Sequence, residues 1–580
     1  MTEQKQQWGS RLGVILAVAG SAVGLGNFLR FPGNAAQNGG GAFMIPYFIA
    51  FLVLGIPIGW AEWTMGRYGG RKGFHSAPAI MGVWGKGAFA RYMGAFGVLI
   101  PLAVYFYYVI IESWCLCYAW NYLQGGIGVS PSADVATQVA TSKSFFAEVT
   151  FSESDGFLAD GQIHQSVWFW VITSVINIYF VFRGLSKGIE KFCSWAMPAM
   201  AVCAVIVLVR VLTLPPDPTN PAEQNVLSGL NFMWNPDFEA LKNPQTWLAA
   251  AGQIFFSLSV GFGVIINYAS YMRKKDDVVL SGLTSSATNE FFEVALGGMI
   301  TLTAAVVFLG LAATEDNTGG TFSTGFFALP VVFARMPAGN IFGAIWFFML
   351  FLAAITSSLS MLQPTKAFVE EALGVSRSVG TAIVAGVAIL GNLFVLWFSK
   401  DLVALDTIDF WVGSVMIFVV AGVQIVCFAW ITGLDKGLKE AHEGAQMRIP
   451  SVIAFTMKWI SPAYLLVIFG LFCWKNVPGY WANLTWDEAQ FRTAALEAGT
   501  EKKLEGAELQ AFVDKDVNTK LAAQPATRLS WGVILGTIGL LMATTAVGAR
   551  RWRAQGRDLD GLYPPDDERG AKPAGQGALR

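Results

Sequence analysis

Two apolar stretches of this 580-residue chain are interrupted by glycine and small polar residues. The interruptions cover residues 20–27 (Gly-Ser-Ala-Val-Gly-Leu-Gly-Asn) and residues 257–263 (Ser-Leu-Ser-Val-Gly-Phe-Gly). Glycine costs about 1 kcal/mol in a helix relative to alanine, so both stretches favour unwound backbone. At membrane depth such backbone is tolerated only where it is buried or lines a cavity. Its free carbonyl oxygens can bind a cation, and half-helix N-termini can face an anion. The alternative is that these small residues only allow neighbouring helices to pack closely.

The surrounding composition is that of a membrane protein. Hydrophobic residues make up 54% of the chain and charged residues only 14%, against about 25% charged in average soluble domains. The net charge of -1 provides no field that would attract nucleic acid, so we expect no nucleic-acid partner. About twelve stretches are long enough to cross roughly 30 Å of hydrocarbon. They cover residues 12–37, 41–66, 88–124, 167–183, 191–213, 242–271, 278–312, 339–372, 377–398, 402–432, 449–475 and 529–548.

The interruptions fall in spans one and six, five helices apart. Corresponding positions in two halves of a chain are typical of an inverted repeat, with a binding site at the interface between the halves. The sequence therefore predicts an all-α integral membrane protein with about twelve helices, two inverted five-helix repeats, and broken helices 1 and 6. The predicted units are an N-terminal tail with the inner gate (1–11), the first repeat (12–213), the second repeat (242–432), spans 11 and 12 (449–548) and a C-terminal tail (549–580).

Basic residues predict the orientation. The segment 67–91 carries five lysines and arginines and no carboxylate. On the opposite side, 214–241 carries no basic residue and 125–166 carries only Lys143. Since basic segments stay cytoplasmic, we expect both termini inside a cell (inner) membrane. The insertion 476–528, rich in Ala, Glu and Lys, is predicted to form one or two soluble helices outside. The charged, Pro/Gly-rich residues from Arg551 onward are predicted to be a disordered cytoplasmic tail.

Two common catalytic and nucleotide-binding motifs are missing from the sequence. It contains no HExxH and no GxxxxGK[ST]. Gly24-Leu25-Gly26 lies inside a membrane span and lacks the third glycine of a dinucleotide-binding loop. We therefore expect a transporter or binding protein and not an enzyme.

Several motifs in combination resemble the neurotransmitter:sodium symporter family (solute carrier 6), and most closely its bacterial leucine transporter branch. The resemblance covers roughly residues 8–475. The matching motifs are Trp8, Arg11-Leu12-Gly13, Gly24-Leu25-Gly26-Asn27-Phe28-Leu29-Arg30-Phe31-Pro32, Asn38-Gly39-Gly40-Gly41-Ala42-Phe43, Gly252-Gln253-Ile254-Phe255-Phe256, Asn289-Glu290, Thr356-Ser357-Ser358 and Asp409-Phe410-Trp411.

The resemblance implies two sodium sites built from neutral oxygens, which suit a hard cation. The first would use Ala22, Asn27, Ser257 and Asn289, and the second Gly20, Val23, Ala353, Thr356 and Ser357. In the family the substrate carboxylate completes the first sodium shell, so sodium and substrate raise each other's affinity by the same factor.

The resemblance also implies a substrate pocket without a charged side chain. Its residues would be Ser21, Ala22, Leu25, Gly26, Val104, Tyr108, Phe256, Ser257, Ser259, Phe262, Ser357 and Met361. Gly24 stands where monoamine carriers of the family place an aspartate, so the substrate must bring its own carboxylate. We therefore expect sodium-coupled symport of a small to medium neutral amino acid by alternating access. An aromatic amino acid, a taurine-like substrate and a non-transporting amino-acid sensor on the same fold remain alternatives.

Gate residues follow from the same resemblance. The outer gate would pair Arg30 with Asp409, and the inner gate would use Lys5, Glu371, Trp8, Ser270 and Tyr271. Lys5 and Glu371 stand where the family has arginine and aspartate. The carboxylate of Glu293 would take the place of chloride, which implies chloride-independent transport with proton counter-transport. Membrane lipid is an expected partner, and a homodimer is compatible with a sequence that does not fix the oligomeric state.

Overall fold

The computed structural model describes residues 7–159, 162–311, 314, 323–565 and 568. Nearly all of this described part is helical, and it contains one two-stranded antiparallel hairpin in which Leu158 pairs with Ile163 and Ala159 with Gln162. In chain order the elements are α1 (Arg11–Ala22), α2 (Gly26–Gln37), α3 (Gly41–Arg71), α4 (Ala77–Trp84), α5 (Ala88–Leu123), α6 (Val135–Thr150), β1 (Leu158–Ala159), β2 (Gln162–Ile163), α7 (Gln165–Arg183), α8 (Leu185–Leu212), α9 (Val226–Trp234), a 3₁₀ turn (Phe238–Lys242), α10 (Pro244–Leu258), α11 (Val264–Ala269), α12 (Val278–Leu309), α13 (Gly325–Arg335), α14 (Gly339–Leu373), α15 (Arg377–Trp397), α16 (Lys400–Ile431), α17 (Leu434–Ala441), α18 (Ser451–Thr485), α19 (Glu488–Glu501) and α20 (Gly506–Ala554).

The number of spanning helices agrees with the predicted fold class once the two breaks are considered. Among the described residues, ten helices are individually long and apolar enough to cross a membrane, and the bent pair α1 and α2 makes an eleventh span. The remaining predicted span, 242–271, consists of the two shorter helices α10 and α11. The all-α membrane fold is confirmed.

The first span breaks at residues 23–25. Helix α1 ends at Ala22, Val23 takes an extended conformation (φ -71°, ψ 97°), and α2 leaves the break at an angle of 47° to α1. The Val23 N–H still donates to the Ala19 carbonyl oxygen at 2.7 Å. The break therefore occurs where the glycine-rich sequence predicts it.

The sixth span breaks between Leu258 and Val264. Ser259, Gly261 and Gly263 all have positive φ, at 55°, 81° and 79°. A Cβ on Gly263 would lie 2.1 Å from the Gly97 carbonyl oxygen. Because a side chain would be strained in backbone conformation and would also clash, this position requires glycine. The second predicted break is thus confirmed, with a physical reason for its sequence.

Two groups of helices meet around the breaks. Helices α3, α11 and α12 pack together with α1, while α14 makes its most extensive packing against α5. Helix α1 also packs on α14, so the break in the first span lies at the junction of the two groups. Residues at this junction are almost all buried.

The C-terminal fifth of the chain agrees only in part with its prediction. Helices form within 476–528 as predicted, but the second of them, α20, runs from Gly506 through the last span without a break, and with α19 it forms a small hydrophobic core of its own. That core consists of Phe491, Ala495, Val513 and Val517. The predicted disordered tail is wrong for residues 551–565, which are folded against the helix bundle; residues 566–580, apart from Glu568, lie outside the described part.

Candidate functional site

The first predicted ion site is a cluster of amide and hydroxyl groups between the breaks and α12. The Asn27 side-chain amide donates to Oδ1 of Asn289 at 2.9 Å, and the Asn289 amide donates to Oγ of Ser257 at 2.7 Å. Oδ1 of Asn27 accepts the backbone N–H of Gly24 at 2.8 Å. All three side chains are buried. Asn27 just after the first break, Ser257 just before the second and Asn289 from α12 are therefore brought together, as predicted; Ala22, the fourth predicted ligand, ends α1 beside them.

A carboxylate lies against this cluster. Oε2 of Glu293 accepts from the amides of Asn27 and Asn289, each at 3.2 Å, and from the hydroxyl of Ser257. Its Oε1 accepts from the Gln253 amide at 2.5 Å. Glu293 is fully buried in a π-helical turn, Phe291–Gly298, of α12. Four donors converging on one buried carboxylate are the donor set that a negative charge requires.

The second predicted ion site lies where α1 faces α14. The Ser357 hydroxyl is 3.4 Å from the carbonyl oxygen of Gly20, 3.1 Å from that of Ser21 and 3.2 Å from that of Ala353. The neighbouring Thr356 hydroxyl lies 3.0 Å from the Ala353 carbonyl oxygen. Both hydroxyls are buried. The carbonyls and hydroxyls predicted to hold sodium thus converge; Val23, the remaining predicted ligand, is buried in the adjacent break.

A small inner cavity of about 20 Å³ separates the two ion clusters. No charged side chain lines it. Its lining residues are Ser21, Ala22, Gly24, Gly26, Asn27, Tyr108, Phe256, Ser257, Ser259, Phe262, Ser357 and Met361. This set contains every predicted pocket residue except two: Leu25 lines a different cavity, and Val104 is buried nearby without lining either.

Gly24 leaves no room for a side chain. A Cβ at this position would lie 2.6 Å from the Tyr108 hydroxyl and 2.8 Å from the Ser357 hydroxyl. The same Tyr108 hydroxyl accepts the backbone N–H of Leu25 at 3.1 Å. The wall between the cavity and the break in the first span is therefore made of backbone and two hydroxyls.

A second, outer cavity of about 350 Å³ lies beyond Phe256. Phe256 and Tyr108 line both cavities, as expected for a lid. The guanidinium of Arg30 stacks over the Phe256 ring at 4.5 Å, and the carboxylate of Asp409 accepts from the Tyr107 hydroxyl at 2.5 Å. Arg30 and Asp409 both line this cavity but form no ion pair within 4 Å. The structure therefore places the two predicted outer-gate residues at the same cavity without pairing them.

The predicted inner-gate residues meet at the opposite end of α1. The indole N–H of Trp8 donates to the Tyr268 carbonyl oxygen at 2.9 Å. His75 stacks on Tyr271 at 4.3 Å, and its Nδ1 lies 2.9 Å from the Ser270 hydroxyl.

Glu371 accepts the backbone N–H groups of His75 and Ser76 at this inner end, at 3.2 and 2.9 Å. Lys5 lies outside the described residues, so its predicted pairing with Glu371 stays a prediction.

Two further buried carboxylates were missed by the motif search. Glu112 in α5 accepts from the Ser358 hydroxyl at 2.7 Å and the Asn177 amide at 3.0 Å, directly beside the second ion cluster. Glu62 in α3 accepts the backbone N–H of Gly261, within the second break, at 3.3 Å. An ionisable residue inside a predicted span is by default a functional candidate, so this signal was present in the sequence.

Comparison with known proteins places this arrangement in a family. Residues 5–494 match the model of the sodium:neurotransmitter symporter family. An uncharacterized sodium-dependent transporter of Methanocaldococcus jannaschii is 29% identical over 80% of this chain and 90% of its own length. The sodium-dependent nutrient amino acid transporter 1 of Drosophila virilis is 25% identical over 80% of this chain and 77% of its own.

A solved structure agrees with these sequence matches. The crystal structure of MhsT in complex with L-phenylalanine superposes with a TM-score of 0.66 at 27% identity, covering 80% of this chain and 99% of MhsT. The family match ends at residue 494, so α20 and the end of α19 lie beyond it. The chain therefore belongs to the sodium:neurotransmitter symporter family, and it is a multi-pass membrane protein that acts as a sodium-coupled secondary transporter and not as an enzyme.

Proposed function

We propose that this transporter carries a small to medium neutral amino acid into the cell together with sodium, by alternating access. The observation that carries the proposal is the inner cavity, which has no charged side chain and touches both ion clusters. The lining suits a zwitterion because the substrate ammonium can bond to carbonyls and hydroxyls while the carboxylate faces sodium. At about 20 Å³ the cavity must widen to admit any amino acid. The transport direction follows from the inward sodium gradient.

The relatives support an amino-acid substrate. MhsT is described in complex with L-phenylalanine, and the Drosophila virilis relative is named a nutrient amino acid transporter. Phe262 and Met361 form an apolar part of the cavity wall, and methionine adapts its shape readily. The complex of MhsT makes an aromatic amino acid the second candidate, which requires Met361 and Phe256 to move away from the cavity.

Two sodium sites account for the grouping of neutral oxygens. The first would be held by Ala22, Asn27, Ser257 and Asn289, and the second by Gly20, Val23, Ala353, Thr356 and Ser357. One charge crossing 100 mV releases about 2.3 kcal/mol, and a tenfold gradient adds about 1.4 kcal/mol. Two ions therefore supply roughly 7 kcal/mol, enough to concentrate the substrate by about five orders of magnitude at full coupling.

Glu293 makes transport independent of chloride in this proposal. Its four donors, from Asn27, Gln253, Ser257 and Asn289, would suit chloride equally well, and the carboxylate already supplies the negative charge beside sodium. A carboxylate can also take up a proton, which chloride cannot. We propose that Glu293 is ionised while sodium and substrate are bound and is protonated on the empty return, so that a proton leaves as substrate enters.

The orientation follows from the basic residues. Arg71, Lys72, Arg91 and Lys274 lie at the end of the bundle where α1 begins and α20 ends. The positive-inside rule makes this the cytoplasmic end, which we term the inner end, with both termini inside the cell membrane. The α19–α20 hairpin is then extracellular.

A thermal-shift screen tests the substrate class. The purified protein is heated with each of the twenty amino acids, in sodium and in choline. We expect the melting temperature to rise with small or medium neutral amino acids, and only in sodium, because sodium completes the carboxylate site. Stabilisation by charged amino acids alone would contradict the proposed pocket, and stabilisation that is equal in choline would contradict sodium coupling.

A further inference from the structure

The segment after α20 folds back onto the inner end of the bundle. Helix α20 ends at Ala554, and Leu559 is only 2% exposed. The Leu559 carbonyl oxygen lies 3.1 Å from the position that a Cβ on Gly82 would take. The segment is therefore packed against α4, although its composition is that of a solvated tail.

Ion pairs hold this segment to the loop and helices that follow α3. Lys72 pairs with Asp558 at 2.5 Å, and Arg91 in α5 pairs with Asp560 at 2.6 Å. The side chains of Lys72 and Asp558 are 3% and 8% exposed, so solvent and salt screen this pair poorly. Burial opposes ionisation of Asp558, but the hydrogen bond from Lys72 holds the pKa of its carboxyl below the usual range.

Arg557 reaches from the same segment to Glu371. Its Nη2 lies 3.1 Å from Oε1 of Glu371 and also donates to the Gly73 carbonyl oxygen. The guanidinium carbon lies 4.0 Å from the centre of the buried Phe74 ring. Three kinds of contact therefore fix the guanidinium: an ion pair, a backbone hydrogen bond and a cation–π contact.

Glu371 connects this arginine with the inner gate. Its other oxygen accepts the backbone N–H groups of His75 and Ser76, and the His75 ring contacts both Tyr271 and Ser270. The indole of Trp552 donates to the Glu371 backbone carbonyl at 3.1 Å. The C-terminal segment thus holds the carboxylate around which the gate residues are arranged.

The segment also bridges the two groups of helices. Lys72 follows directly on α3, which packs with α11 and α12, whereas Glu371 lies near the end of α14, which packs with α5. A relative movement of the two groups that opens the inner end would lengthen the distance between these anchor points. Ion pairs on both sides of the junction would have to break first.

We propose that residues 557–560 form a clasp that completes the inner gate, in which Arg557 is the positioning residue for Glu371. The clasp stabilises the state with the inner end closed and is released each time that end opens. This inference rests on the proposed alternating access. In this inference the cation that contacts the gate carboxylate Glu371 is Arg557 of the C-terminal segment.

Cysteine accessibility tests the clasp. Ser360 is fully buried, accepts from the Tyr268 hydroxyl at 2.9 Å, and lies one turn toward the inner end from Thr356. In a chain whose six native cysteines are replaced, Ser360→Cys reports inner opening by its reaction with a membrane-impermeant maleimide in nanodiscs. In sodium, Arg557→Gln should raise the labelling rate about fivefold, the upper range for a partly exposed ion pair. The matched control is Arg553→Gln, because Arg553 is exposed on the last turn of α20 and has no ion pair among the described residues; it should label at the parent rate.

Two further measurements distinguish failure of the clasp from failure of alternating access. A chain that ends at Gly556 should also label about fivefold faster, which keeps the test decisive if Arg557→Gln does not purify as a monodisperse protein. Labelling of both variants at the parent rate would overturn the clasp. If the parent itself labels equally in sodium and in choline, the proposed alternating access fails and the clasp fails with it.

Discussion

The side-chain amide of Asn27 lies 2.9 Å from the side-chain oxygen of Asn289 and 3.2 Å from the carboxylate of Glu293. Asn27 follows the break in the first span, while the other two residues belong to α12. One short set of hydrogen bonds therefore joins the broken first span to the continuous helix α12. An ion that binds at Asn27 would change both at once, which is how sodium could control the substrate cavity beside it.

Asn27→Ala should lower sodium affinity. The substitution removes a predicted ligand and leaves the buried Gly24 N–H and Asn289 Oδ1 without their partner, which costs roughly 1–3 kcal/mol. We expect about a 5- to 150-fold higher sodium concentration for half-maximal stabilisation of the substrate complex, with partial recovery at high sodium. The matched control is Asn38→Ala, which removes a buried asparagine at the far end of α2, bonded only to the Asn34 carbonyl oxygen. An equal loss in both variants would show general damage to α2.

Thr356 tests the second ion site separately. Thr356→Ala removes the hydroxyl that lies 3.0 Å from the Ala353 carbonyl oxygen, whereas Thr356→Ser retains it. We expect the sodium requirement of uptake to rise about tenfold or more in the alanine variant and to change little in the serine variant, because a lost oxygen ligand to a cation should cost at least as much as a hydrogen bond to a charged group, about 1.5–3 kcal/mol. Sodium titration of uptake measures both. If alanine and serine behave alike, the hydroxyl binds no ion.

Gly24→Asp should abolish amino-acid transport. A carboxylate at mid-membrane costs roughly 2.5–3.5 kcal/mol on insertion scales, and here it would lie beside the substrate carboxylate. The structure adds a steric contribution, because even a Cβ would come within 2.6 Å of the Tyr108 hydroxyl. Gly24→Ala therefore measures the loss of space alone, and the aspartate variant should bind substrate more weakly still. Substrate binding at the wild-type affinity in Gly24→Asp would mean that the cavity is not the substrate site.

Glu293→Ser should make transport depend on chloride. The change leaves the amides of Asn27, Gln253 and Asn289 converging on the space that the carboxylate fills, so an anion can take its place. Uptake by the wild type should be unaffected when gluconate replaces chloride. Glu290→Gln is the neighbouring control, because Glu290 is also buried and accepts from the Tyr47 hydroxyl at 2.7 Å and the Asn289 amide at 3.5 Å, whereas the amides of Asn27 and Gln253 donate to Glu293. Loss of wild-type uptake in gluconate would refute the role given to Glu293.

The breaks could be predicted because glycine reports backbone conformation directly. Gly261 and Gly263 adopt positive φ, whereas in the first break the glycines of residues 20–27 do not, and it is Val23 that takes an extended conformation among them. The residues of the two ion clusters followed from the family resemblance, and the structure brings them together. Their roles as ligands stay predictions.

The C-terminal region could be predicted only in part from composition. The segment 476–528, rich in Ala, Glu and Lys, predicts helices, and α19 and the first part of α20 lie there, but composition does not show that α20 continues without a break into the last span. The tail is charged, which by itself indicates disorder. Its charges are instead neutralised by Lys72 and Arg91, far away in the sequence, and such long-range pairing leaves no local signal.

Uptake of a radiolabelled amino acid into proteoliposomes is the most direct test of sodium-coupled transport. The amino acid is one that stabilises the protein in the thermal-shift screen, and vesicles loaded with potassium are diluted into sodium or into choline. The oxygens around Asn27, Asn289, Thr356 and Ser357 predict accumulation above the external concentration in sodium, with collapse when a sodium ionophore removes the gradient. Equal uptake in choline, or binding without accumulation, would contradict sodium-coupled transport.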